Sequence, residues 1–158
     1  MSFEADGSRS FKRQGRWALM MHFFSVFSLL MCAAFAEQAA RKLGVPSFIV
    51  YVLAGLAWLL CAVLHMNADA TGASWPNGYP WMARILALLL IILNVYMGAF
   101  IFEDGKGHTL TSGSYTQVIP PTPLWQVAAS IATFAVICLL ALFALWRLVA
   151  SVRGNTQA

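Results

Sequence analysis

Two histidines are the residues whose type and placement could do the most chemistry in this sequence. His22 and His65 each fall inside a long apolar run, where an ionisable side chain is rare enough to count as a functional candidate by default. On a helical wheel His22 shares a stripe with Ser25, Leu29, Cys32, Ala36 and Ala40, with Ser28 beside it. His65 closes a second stripe, formed with Tyr51, Ala54, Trp58 and Cys61. Two imidazoles facing each other from neighbouring membrane helices can ligate a b-type haem iron through their ring nitrogens. His22 and His65 are therefore candidate haem ligands, and the chain a candidate haem- or quinone-interacting anchor of a respiratory enzyme, with Arg16 or Arg84 near a propionate.

Depth in the bilayer favours a plainer role for the pair. His22 lies five residues beyond Trp17, roughly 7 Å deeper at 1.5 Å per residue, whereas His65 ends its run. No third membrane histidine or haem motif accompanies them. In the plainer reading His65 is interfacial, His22 is hydrogen-bonded to a helix neighbour, and no cofactor is predicted. His108 falls in a loop and is expected to be solvated.

Ser25, Cys32, Asn94 and Gly98 form the rest of the expected polar or close-packing core. Asn94, near the middle of its run, should find an interhelical hydrogen bond, worth about 0.6 kcal/mol on average in membranes and up to roughly 1.7. The same four residues would line the path if the chain were a small oligomeric transporter. Cys32, Cys61 and Cys138 show no CxxC, pairing or zinc spacing and read as small apolar residues. There is no GxSxG, HExxH, Walker loop or intramembrane acidic dyad, so no catalytic or metal-ligating residues are expected.

The elements that must hold these residues follow from composition. Of 158 residues, 60% are hydrophobic and only 10% charged, against roughly 25% charged in a soluble domain. Four apolar runs, about 17–38, 47–66, 82–102 and 124–147, meet the requirement of about 20 residues for a membrane-spanning helix. The first run has small and polar residues on one side and Phe23, Phe24, Phe27, Leu30, Met31 and Phe35 on the other. Lipid solvates the large side chains while small ones let helices approach, so the small face should be the buried one. By the same logic Arg84, Ala87, Ile91, Asn94 and Gly98 are expected to face inward from the third run, and Ala128, Ala132 and Ala135 from the fourth. The expected fold is all-α: an integral membrane antiparallel four-helix bundle spanning 17–147.

Orientation follows from the basic residues. Placing the 1–16 tail and the 148–158 tail in the cytoplasm leaves seven inner cations (Arg9, Lys12, Arg13, Arg16, Arg84, Arg147, Arg153) against three outer ones (Arg41, Lys42, Lys106). Cations so placed are an orientation signal, not a nucleic-acid patch. Trp17, Trp75, Trp81, Trp125 and Trp146 mark the interfaces, and Pro46, Pro80 and Pro123 precede or open the later runs. Ala34-Phe35-Ala36 also resembles a signal-peptidase site, but the run is longer than the usual signal core of about 7–15 residues, so retention is expected. Glu37, Gln38, Arg41 and Lys42 are expected to form a mutually paired cap, and the segment from Asp69 through Trp75–Trp81 an amphipathic cytoplasmic loop. In the outer loop, 103–123, a hairpin is expected around Ser112-Gly113-Ser114. The leading functional expectation is a non-catalytic subunit or accessory factor of a larger assembly in a bacterial cytoplasmic (inner) membrane. Its expected partners are the lipid bilayer and a larger membrane protein or further copies of itself.

Overall fold

The computed structural model describes residues 3–69, 79–112 and 115–155. The chain runs α1 (Phe3–Ala34), α2 (Ala36–Leu43), α3 (Ser47–Asp69), α4 (Tyr79–Gly105), β1 (His108–Ser112), β2 (Tyr115–Ile119) and α5 (Leu124–Asn155). Four helices carry stretches long and apolar enough to cross a membrane: Arg13–Ala34, Ser47–Ala68, Pro80–Gly105 and Leu124–Val152. Each overlaps one of the four expected runs, the first starting and ending four residues earlier than expected. The polar 1–16 segment is helical from Phe3 onward, continuous with the first span.

The first run does not continue straight to its end. At Phe35 the backbone takes φ −100° and ψ 4°, and the chain bends between α1 and α2. No Pro or Gly causes the bend; it falls where the Phe35 ring meets that of Phe100, 5.9 Å between centroids. Beyond it, α2 buries Ala36 and Ala39, with Arg41 and Lys42 in its last turn, where cations complement the helix dipole. Gly44 then stops the helix in the left-handed region (φ 70°), its N–H bonding to Ala40 O at 2.9 Å.

Around the bundle α1 packs mainly on α3 and α5, and α4 on α3 and α5, with a smaller contact across the bundle between α1 and α4. Gln14 near the start of α1 donates to Ser151 O of α5 at 3.5 Å, and Trp17 meets Phe143 of α5 edge-on at 5.8 Å. The buried face of α1 is the small one, with Ser25, Ser28, Leu29, Cys32 and then Ala36 at most 4% exposed. Phe23 and Leu30 point outward, each 63% exposed.

In the later helices the expected inward stripes hold only in part: Ala54 and Cys61 of α3 are buried as expected. In α3 the buried line is Val50, Ala54, Ala57, Cys61, Leu64 and Ala68, while Tyr51 and Trp58 face outward. In α4 the interior is filled by Leu86, Leu90, Leu93 and Met97, while Arg84 and Ile91 are exposed. The reason is complementarity: small surfaces on α1, α3 and α5 leave space, and bulky residues of α4 occupy it. In α5 the small track is turned out: Ala128, Ala132 and Ala135 are all exposed.

The hairpin forms as its alternation suggests, with β1 and β2 antiparallel and His108 opposite Ile119, Ser112 opposite Tyr115. Its turn, Gly113-Ser114, lies outside the described residues, as does Trp75 with the rest of 70–78. Gly107 (φ 76°) lets the chain turn from α4 into β1, where a Cβ would come within 2.8 Å of Ile119 O. The proline segment returns past the end of α4, fastened by Thr122 N–H to Gly105 O at 2.9 Å.

Candidate functional site: the polar interior of the bundle

The polar side chains of α1 point into the bundle in succession, each meeting a different neighbour. His22 lies against α3: its ring and that of His65 have centroids 4.8 Å apart and planes 33° apart. Cys61 Sγ, fully buried one turn before His65, sits 3.6 Å from His22 Nδ1, the donor depending on the imidazole tautomer. One turn on, Ser25 is fully buried. Ser28 accepts a 2.8 Å hydrogen bond from Asn94 Nδ2 of α4, which also donates to Leu90 O at 2.8 Å. Cys32 then donates to Leu93 O at 3.5 Å.

The helices bring His22 and His65 together, but not as axial haem ligands. Such ligands aim a ring nitrogen at a metal about 2 Å away, with the porphyrin lying between the two rings. Here the rings touch each other at the ordinary contact distance of aromatic pairs, and the gap has no room for a further layer of atoms. In this arrangement the pair does not fit a haem between the rings. Among the described residues no three His, Cys, Asp or Glu side chains converge to hold a metal ion. What the cluster does is join α1 to α3 by ring contact and a sulfur–imidazole contact.

Asn94 is placed as an interhelical donor, although its Oδ1 is buried with no partner. Gly98 is not a point of close approach: a Cβ there would meet Ile131 Cγ2 at 3.9 Å, ordinary contact. The close approach is at Gly105, the last residue of α4 and about two turns beyond Gly98, where a Cβ would stand 2.5 Å from Val127 Cγ2. Sequence reasoning missed Gly105 because its neighbour across the loop is invisible in local spacing.

A second polar group lies at the loop end. Lys42 Nζ is 2.5 Å from Asp104 Oδ1 and donates to His108 Nδ1 at 3.1 Å, joining α2, α4 and β1. The expected self-paired cap among Glu37, Gln38, Arg41 and Lys42 is therefore replaced by a tie to α4, and His108 is engaged by Lys42. Lys106 pairs with Glu103 at 2.7 Å.

Between the end of α1, α4 and the first half of α5 lies a groove of about 300 Å³, lined by Phe35, Met97 and Phe100 with Asp104 and Gln126. It exists because the bend at Phe35 carries the chain toward α4 and leaves the first half of α5 without α1 beside it. Between Val127 and Cys138 no residue of α5 is buried. The most apolar stretch of α5 is only 22% buried, against 33% for that of α1.

The fold is that expected of a small multi-pass membrane protein, four apolar helices enclosing a thin polar interior. No protein family, curated protein or solved structure matches the chain.

Proposed function

We propose that the chain is a non-catalytic subunit or accessory factor of a larger membrane assembly, an antiparallel four-span bundle with both termini in the cytoplasm of a bacterium. The observation that carries this reading is the outward face of α5, where Ala128, Ala129, Ala132 and Thr133 are exposed on the side turned away from the groove. Lipid gains nothing from small residues, whereas a helix of another chain can approach a small-residue face closely and gain packing there. The first half of α5 thus has the surface of a helix in a bundle without the neighbour that would cover it. Ser28, Cys32 and Asn94 are engaged in joining α1 to α4, which supports a scaffold better than a catalyst. The transporter reading would need Ser25, Cys32, Asn94 and Gly98 to line a path, yet Ser25 and Cys32 are packed at no more than 1% exposure.

The test is site-specific photocrosslinking in intact membranes, followed by purification in a mild detergent. A crosslinker at Ala132 should capture a membrane protein or a second copy of this chain, while one at Phe23 or Leu30 should capture none. Ala132→Trp should abolish the complex and leave the helical content unchanged. A chain that purifies alone and crosslinks equally from all three positions would end the reading.

A further inference from the structure

At the end of the bundle where α1 begins and α5 finishes, a separate cleft of about 180 Å³ is lined by Arg13, Trp17, Arg147, Ala150 and Ser151. Its two charged side chains are both guanidinium groups, and they come from different helices. The Arg147 guanidinium carbon lies 5.3 Å from the Trp17 ring centre and 5.9 Å from that of Trp146, so aromatic faces hold it in place. Gln14, only 7% exposed, clamps the two helices beside the cleft through its bond to Ser151 O. Ser151 Oγ gives its proton to Leu148 O at 2.7 Å, so among the described residues the two arginines are the charged donors lining the cleft. Arg13 opens one membrane-spanning stretch and Val152 closes another, and Trp17 and Trp146 sit where indole rings mark the headgroup level.

We infer that this cleft binds a phosphate group, and that its source is the headgroup of an anionic phospholipid. A guanidinium presents parallel N–H donors that match the oxygens of a phosphate, and two of them from opposite sides match its charge. The planar Arg147, held by ring contacts before the ligand arrives, loses little freedom on binding. Position selects the source: at headgroup depth the local concentration of lipid phosphate far exceeds that of free phosphate, and anionic lipids draw juxtamembrane cations. The cleft is unrelated to the α5 face and stands or falls separately from the assembly reading.

The experiment titrates short-chain phosphatidylglycerol into the full-length protein in detergent and follows tryptophan fluorescence and thermal stability. Parallel titrations use short-chain phosphatidylcholine, whose phosphate is balanced by choline, and inorganic phosphate. Wild type should prefer phosphatidylglycerol, and Arg13→Gln and Arg147→Gln should each weaken it about tenfold, the loss of one charge-assisted contact. Arg147→Lys should recover only part of the affinity, because the charge returns without the fork. Arg84→Gln, an exposed arginine of α4 outside the cleft, should change nothing. Saturation by inorganic phosphate at equal affinity would keep the phosphate site and overturn the lipid source. Equal loss in Arg84→Gln, or unchanged binding in both cleft variants, would overturn the site itself.

Discussion

Adding one methyl group to each of two glycines of α4 should have opposite effects. At Gly98 an added Cβ meets only Ile131 Cγ2, at 3.9 Å. Gly98→Ala should therefore return the helix-propensity difference between the two residues, about 0.8–1 kcal/mol of stabilisation. At Gly105 the same atom would stand 2.5 Å from Val127 Cγ2, with Val127 Cγ1 and Cβ at 3.5 and 3.6 Å. A helical valine has one strongly preferred rotamer, so Val127 cannot swing aside, and α4 and α5 must part instead. Overpacking of this kind costs about 1–3 kcal/mol, and the terminal position of Gly105 in its helix returns little propensity in exchange. The two variants should differ by roughly 2–4 kcal/mol in opposite directions. Reversible unfolding by SDS in mixed micelles, followed by circular dichroism at matched SDS fractions, reads this difference. The double variant Gly105→Ala with Val127→Ala should recover most of the Gly105→Ala loss, since the clashing carbon is gone. A destabilised Gly98→Ala beside a neutral Gly105→Ala would refute the reasoning, because Gly98 would then be the crossing point.

Other perturbations follow from the same contacts. Asn94→Leu should leave stability within about 1 kcal/mol of wild type, because losing the bond to Ser28 is offset by removing the unpartnered Oδ1. The cycle with Ser28→Ala should still show a coupling of about 0.6 kcal/mol, up to roughly 1.7, in the same unfolding assay. Lys42→Ala releases Asp104 and His108 together; hydrogen exchange in both strands of the hairpin should rise, for a global cost of no more than about 1 kcal/mol. Because the His22 and His65 rings lie against each other, reduced-minus-oxidised spectra of membranes carrying the protein should show no haem band. A band that disappears in His22→Ala would overturn that geometry.

Much of the architecture is legible in the residue order. The four spans, the proline-led helix starts and the hairpin all follow from local patterns that need no knowledge of neighbours. The small face of α1 was legible too, because its contrast is strong: Ser25, Ser28 and Cys32 against Phe23, Phe27 and Leu30. Size contrast failed in α4 and in the first half of α5. In α4 the bulky Leu86, Leu90 and Leu93 face inward because the adjoining helices are small there. In α5 the alanine track faces outward because Val127, Ile131 and Phe134 take the side turned toward the bundle. The pairing of His22 with His65 was anticipated from their stripes, but the ring-on-ring distance depends on how α1 and α3 settle against each other.

The residue order by itself determined the solvent for which this chain is made and the segments long enough to cross it, since hydropathy and length are sums along the backbone. Only the tertiary structure decided which face of each helix meets another. Hydrocarbon and a packed interior accept Leu almost equally, so composition leaves the choice open. Shape complementarity with neighbours distant in sequence settles it, placing Lys42 on Asp104, Val127 against Gly105 and Arg147 over Trp17.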